Sequence, residues 1–184
     1  MNAVASTATR AERIVAVDVF VANEQADRKV DCAKLARLAE GVLDAEGVDG
    51  DAELSVLFVD EETIAALNER FLGKNGPTDV LAFPIDEEDA APGRAPDNGG
   101  TGPGWEPPDG GTLPTMIGDV VICPEVAHKN APGHSGSYDD ELALLLVHGI
   151  LHLLGMDHEE NDDAEEMEAR EQELLDGLYR QPKS

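Results

Sequence analysis

An apolar stretch that carries two histidines, close to the C-terminus, constrains the fold most. Residues 142–154 read LALLLVHGILHLL, so a helix over this stretch is apolar around almost its whole circumference. Such a helix must be buried, and burying two imidazoles without partners costs free energy. Gly155 follows the stretch and can take the left-handed conformation that ends a helix. The sequence therefore predicts a buried helix over about 138–154 whose two histidines share a partner.

The spacing of three histidines predicts a single metal site. His148 and His152 are four residues apart, so on a helix their imidazoles point toward one place. A chain that folds back after Gly155 brings His158 toward the same place. Three neutral imidazoles leave one coordination position open, as at a catalytic zinc. We therefore predict one zinc ion bound by all three histidines. The alternative is that they serve only packing.

The histidine frame H-x-x-x-H-x-x-G-x-x-H is also that of the metzincin peptidases. Those enzymes carry a glutamate directly after the first histidine as general base, and here that position is Gly149. Peptide hydrolysis is therefore disfavoured. Asp157, beside the third histidine, has two interpretations that stay open. It is either a turn residue or support for a histidine, or it is a catalytic residue that accepts a proton.

Composition limits the classes of partner and the compartment. The net charge is −26, from 39 acidic and 13 basic residues, which disfavours autonomous binding of nucleic acid. Cys32 and Cys123 lack a C-x-x-C spacing and no signal sequence is recognisable, so we expect a cytoplasmic protein. The longest apolar run, about fifteen residues, is shorter than the roughly twenty of a membrane span, and we expect no membrane partner.

Hydrophobic periodicity predicts one α+β domain over residues 1–184, with a core over about 14–180 and a small mixed β-sheet packed with helices. Strands are predicted at 14–21, 53–59, 79–83 and 117–123, and helices over about 28–44, after Asp60 as far as Gly73, from Pro124, over 138–154 and near the C-terminus. Residues 84–115 hold seven glycines and seven prolines, which predicts a flexible insertion.

The last predicted helix is amphipathic. Its apolar residues recur on one side, and they are Met167, Leu174, Leu175 and Leu178. The acidic run at 159–166 is typical of the solvated opening turns of a helix, where carboxylates complement the helix dipole. We assign that run no chemistry.

Three sequence blocks together carry a resemblance to a known family. They are NERFLGKNGPTDVLAFP at 68–84, GDVVI at 118–122 and the histidine segment at 148–158. In this order they resemble the YbeY family of bacterial metal-dependent endoribonucleases. The similarity extends over most of residues 15–178, apart from the glycine- and proline-rich insertion.

The resemblance implies a zincin-like site in which His148, His152 and His158 bind one zinc ion on a C-terminal helix and turn. It further implies a zinc-dependent, single-strand-specific endoribonuclease. Such an enzyme matures the 3′ end of the small-subunit (16S) ribosomal RNA and acts in ribosome quality control. The implied partners are ribosomal RNA and the small ribosomal subunit.

One departure from the family pattern concerns a cation. The family commonly has an arginine directly after the aromatic that Phe71 matches, and here that position is Leu72. Arg70 and Lys74 lie nearby, and either of them contacts an RNA phosphate as a catalytic cation or is a solvated loop charge. Asp79, which follows Pro77 and Thr78, is either part of a turn into a strand or close to the site.

Two rival functions remain at the level of sequence. One is a non-enzymatic ribosome-assembly factor whose metal only holds the last helices together, and the other is a metallopeptidase-like hydrolase, which Gly149 disfavours. Because the chain is so acidic, we expect weak binding to free RNA and delivery of the substrate by a ribosome-associated protein. His128 and His134 are expected to be surface or loop residues.

Overall fold

The computed structural model describes residues 17–48, 50–85, 115–156 and 161–180. The strands are β1 (Asp18–Asn23), β2 (Ala52–Phe58), β3 (Val80–Pro84) and β4 (Thr115–Ile122). The helices are α1 (Cys32–Ala45), α2 (Glu61–Leu72), α3 (Pro124–Asn130), α4 (Tyr138–Leu153) and α5 (Asn161–Leu178), with a short 3₁₀ turn (Ala131–Gly133) between α3 and α4.

The four described strands form one mixed sheet in the order β1-β2-β4-β3. β1, β2 and β4 run parallel, and β3 is an edge strand antiparallel to β4. Burial alternates along β2, as a strand with two unlike faces requires. The predicted α+β architecture with a small mixed sheet is confirmed.

The sheet separates two layers of helices, and alternate side chains of β4 face one layer or the other. Val120 and Ile122 face the larger core, which includes buried residues of α1, α4 and α5. Val121 and Cys123 point the other way, into a smaller cluster with Ile64 of α2. The period of two along the strand thus puts α4 and α2 on opposite faces of the sheet.

The histidine-bearing helix α4 is the centre of the larger core. Its buried residues are Glu141, Leu142, Ala143, Leu144, Leu145, Leu146, Val147, Gly149, Ile150 and Leu151. Ser137 caps its N-terminus, where the side chain accepts a hydrogen bond from the Asp140 N–H at 3.1 Å. Gly155 has φ +93°, so the chain leaves the helix in the left-handed region. The prediction of a buried helix ended by this glycine is confirmed.

The predicted ends of α2 are also confirmed. Asp60 caps its start by accepting from the Thr63 N–H at 2.8 Å, and these contacts with Thr63 lower the pKa of the Asp60 carboxyl. Gly73 ends the helix with φ 64°, and its N–H donates to the Glu69 carbonyl.

The first helix and the last apolar position differ from prediction. α1 begins at Cys32 rather than near Arg28, because Asp31 caps it by accepting from the Lys34 N–H. Leu178, predicted on the buried side of the last helix, is 42% exposed at the end of α5, where it lies over Gly41 of α1. Residues 14–16 of the first predicted strand and residues 86–114 of the predicted insertion lie outside the described residues. In the described part of the chain, no helix is both long enough and apolar enough to span a membrane.

Candidate metal centre

The two helical histidines converge as their spacing predicts. Nε2 of His152 lies 3.1 Å from Nε2 of His148, and the ring planes are inclined at 83°. Two nitrogens bound to one tetrahedral zinc at about 2.0–2.1 Å lie roughly 3.3 Å apart. The observed separation of the two Nε2 atoms therefore fits two ligands of a single ion.

A glutamate from α5 orients the first histidine. Nδ1 of His148 lies 2.6 Å from Oε1 of Glu171, and Glu171 is buried although it is a charged residue. A carboxylate at Nδ1 favours the tautomer with the proton there, and in that tautomer Nε2 is the nitrogen that can coordinate a metal. Metal-binding histidines usually have such a second partner.

Sequence reasoning missed Glu171 because it considered only the acidic run at 159–166, to which it assigned no chemistry, and no acidic residue further along the last helix. Glu171 lies four residues after Met167 and three before Leu174, so it occupies the same helical face as these two buried residues. A charged residue within an apolar stripe was therefore the available signal.

The remaining predicted site residues of this segment, Asp157 and His158, lie outside the described residues. Among residues 17–48, 50–85, 115–156 and 161–180, no three or more His, Cys, Asp or Glu side chains come together as a metal site. His148 and His152 form the described part of the predicted site, and the third ligand stays a prediction.

An open groove of about 560 Å³ lies beside His148. Residues from the start of β3, the turn before α4, α4 itself and α5 line it. Its titratable and charged residues are Asp79, His134, His148, Glu168, Glu171 and Arg180. The groove is thus mainly acidic, with histidines and one arginine on its walls.

Asp79 fits both interpretations that its sequence context left open, a turn into a strand and a place close to the site. Its Oδ1 accepts from the Val80 N–H at 2.9 Å, which is turn chemistry at the start of β3. Its Oδ2 accepts from the Asn130 amide at 3.3 Å, and the residue lines the groove. Asp79 is therefore both a turn residue and a neighbour of His148 in the groove.

The candidate cations Arg70 and Lys74 lie elsewhere. Both are exposed at the C-terminal end of α2 and beyond it, and neither is among the described residues that line the groove. The Arg70 guanidinium lies 5.2 Å from the centre of the Phe71 ring. Leu72, in the place of the family arginine, is 53% exposed. Contact of Arg70 or Lys74 with RNA stays a prediction.

His134 has a role that its sequence did not reveal. It follows the 3₁₀ turn, and its Nδ1 lies 3.0 and 3.1 Å from the two carboxyl oxygens of the buried Glu141. This hydrogen bond raises the pKa of His134, although partial burial opposes the shift. His128, by contrast, is exposed and stacks edge-on against Tyr138.

Gly149 is required by packing. A Cβ atom at this position would lie 2.7 Å from a methyl carbon of Val120 on β4, closer than side-chain atoms approach. The residue after the first histidine therefore has no room for the glutamate of the peptidase frame. Close approach of α4 to the sheet explains its absence.

Comparison with known proteins now identifies the family. The sequence profile described as Endoribonuclease YbeY matches residues 20–179. The chain belongs to this family. The match runs from within β1 to just past the end of α5, and so includes both histidines of α4 and Glu171.

Individual YbeY relatives are similar in sequence to this chain over most of its length. The Endoribonuclease YbeY of Thermobifida fusca is 46% identical over 165 residues, which cover 89% of this chain and 96% of that protein. The Endoribonuclease YbeY of Salinispora tropica is 45% identical and covers 86% and 94%. The solution structure of TM1509 from Thermotoga maritima superposes with a TM-score of 0.52 at 26% identity, covering 89% of each chain. Family membership therefore rests on sequence and fold together.

Proposed function

We propose that this YbeY-family chain is a zinc-dependent endoribonuclease that cuts single-stranded RNA. In this proposal it matures the 3′ end of the small-subunit (16S) ribosomal RNA and acts in ribosome quality control in the cytoplasm. The observation that carries the proposal is the convergence of His148 and His152, with Nδ1 of His148 held by Glu171. Membership of a family of endoribonucleases supports the choice of RNA as substrate.

The residues that would hold the ion are His148 and His152, with His158 as the predicted third ligand. All three donors are imidazoles, a set that suits zinc. When bound, zinc supplies Lewis-acid chemistry and makes a coordinated water more acidic. Asp157 keeps its two predicted roles, support of a histidine or acceptance of a proton.

The protein's own residues prepare this site before any ion binds. Glu171 fixes the tautomer and the ring orientation of His148, because a 2.6 Å contact joins its carboxyl group to Nδ1. The apolar packing of α4 in turn fixes the backbone that carries both imidazoles. Little reorganisation of these two imidazoles would therefore be needed on binding of an ion.

The charge of the chain shapes how RNA reaches the site. With a net charge of −26, the protein cannot gain much affinity from neutralised phosphates. We propose that a protein partner on the small ribosomal subunit delivers the RNA. Tight, salt-sensitive binding of free RNA by the isolated chain would contradict this part of the proposal.

A cleavage assay on matched RNAs tests the proposed function. Purified protein is incubated with a single-stranded RNA precursor of the small-subunit 3′ end and, separately, with the same sequence in a duplex. Each incubation is made with the untreated protein, with protein treated with a chelator, and with chelated protein to which zinc is restored. We expect cleavage of the single strand that is lost on chelation and regained with zinc. Equal cleavage of the duplex, or cleavage that ignores chelation, would overturn the proposal.

A further inference from the structure

His134 lines the groove and contacts the buried Glu141, an arrangement that the proposed metal site does not use. Glu141 is completely buried in α4, and both of its carboxyl oxygens lie within 3.1 Å of Nδ1 of His134. Because Glu141 takes Nδ1, only Nε2 on the opposite side of the ring can contact a ligand. The His134 side chain is 60% exposed and lines the groove. A buried carboxyl group therefore presents this imidazole to the groove in one orientation.

The position of Glu141 on α4 keeps its partner His134 away from the proposed metal site. Glu141 precedes His148 by seven residues, so both lie on the same face of the helix, two turns or roughly 10 Å apart. Glutamate side chains lean toward the helix N-terminus, which carries His134 further from His148. A zinc–nitrogen bond is only about 2.0–2.1 Å long, so the two histidines serve different parts of one groove.

The acidic groups around His134 favour its cationic form, which can bind an anion in an otherwise acidic groove. Glu141 faces it from α4, Asp79 from the start of β3 and Glu171 from α5, and each raises its pKa. The groove also contains Glu168 and Arg180. Nη1 of Arg180 is engaged by Gln172 and Asp176 at 2.9 Å. Of the two groove side chains His134 and Arg180, each of which can donate a charge-assisted hydrogen bond to an anion, His134 is the one whose ring is held by a buried carboxyl group.

We infer that His134 binds an RNA phosphate that flanks the phosphate beside His148 and His152, an inference that rests on the proposed function. Nε2–H of His134 donates to a non-bridging oxygen of that phosphate, while Glu141 holds the ring. This contact places the strand along the groove, and it offsets part of the repulsion from the acidic walls.

Steady-state cleavage of a short single-stranded oligoribonucleotide tests the inference. The zinc-loaded full chain is compared with His134→Gln and with His128→Gln, which removes an exposed imidazole outside the groove. Rates are measured at about pH 6 and about pH 8.5, on either side of the histidine range. We expect His134→Gln to raise KM about tenfold at the lower pH with little change in kcat. The difference from wild type should shrink at the higher pH, and His128→Gln should match wild type at both.

A second variant keeps the test decisive if His134→Gln does not fold. Glu141→Gln keeps the shape of the buried side chain and weakens the hydrogen bond that raises the pKa of His134. In wild type, KM should rise as the pH increases and His134 loses its proton. In Glu141→Gln this rise should occur at a lower pH. An unchanged KM in His134→Gln, or an equal loss at both pH values, would overturn the inference while wild-type cleavage upholds the proposed function. Absence of cleavage by wild type would overturn both.

Discussion

Nδ1 of His148 and Oε1 of Glu171 lie 2.6 Å apart, although 23 residues separate them in the sequence. This contact joins α4 to α5 and leaves Nε2 of His148 directed toward His152. The geometry is that of a carboxylate that orients a metal-binding histidine. The predicted metal site therefore depends on how the last two helices pack as well as on the histidine motif.

Replacement of this carboxyl group tests its support of the metal. We expect Glu171→Gln to weaken zinc binding by about 10- to 100-fold, because the amide holds the His148 tautomer less firmly. Zinc affinity is measured by competition with a chromogenic chelator. The matched control is Glu168→Gln, which removes the same charge from the same helix and groove. Equal losses in the two variants would show that only the overall charge matters.

The close approach of α4 to β4 predicts opposite effects for two helical glycines. Gly149→Ala should lower the free energy of unfolding by about 1–3 kcal/mol, because the new methyl group collides with Val120. In Gly177→Ala on α5 the added carbon meets nothing within 4 Å, so better helix propensity should stabilise by up to about 1 kcal/mol. Urea denaturation checks both. A stable Gly149→Ala protein would contradict the packing argument.

The raised pKa of His134 predicts a pH dependence of stability. Since the folded state binds this proton more tightly than the unfolded state, the contribution of the His134–Glu141 pair is fully present below the ordinary histidine pKa of about 6.5. It is lost as the pH rises through the raised folded-state pKa. Thermal melting of wild type and His134→Gln over this range checks it. Their melting temperatures should converge at high pH, and a constant difference would contradict the linkage.

Metal removal should leave the fold largely intact. α4 is held by an extensive apolar core with α1, α5 and the sheet, so we expect chelation to abolish cleavage without unfolding the last helices. Far-UV circular dichroism and thermal melting of the zinc-free protein measure this. Loss of helix on chelation would favour the rival assembly factor with a structural metal.

The sequence predicted the elements and the histidine pair because these depend on local patterns. Apolar periodicity, the Asp60 cap and the left-handed Gly155 act within one helix, and so does the four-residue spacing of His148 and His152. Such signals need no knowledge of how separate elements pack.

The missed features depend on tertiary packing. Glu171 reaches His148 only because α5 docks on α4, and His134 reaches Glu141 only because of the turn that precedes α4. Gly149 similarly reveals its constraint only when Val120 of β4 is opposite it. The histidine motif matches the metzincin frame, but packing against β4 requires a glycine where those peptidases have their glutamate.

The most direct test of a catalytic zinc at the histidine pair compares wild type with His152→Ala. Bound zinc per chain, folding and cleavage of the single-stranded ribosomal RNA precursor are measured on the same preparations. The proposed function predicts a folded variant that has lost both most of its zinc and its cleavage activity, because one of the two converging imidazoles is gone. A folded variant that lacks zinc and still cuts the RNA at the wild-type rate would contradict it.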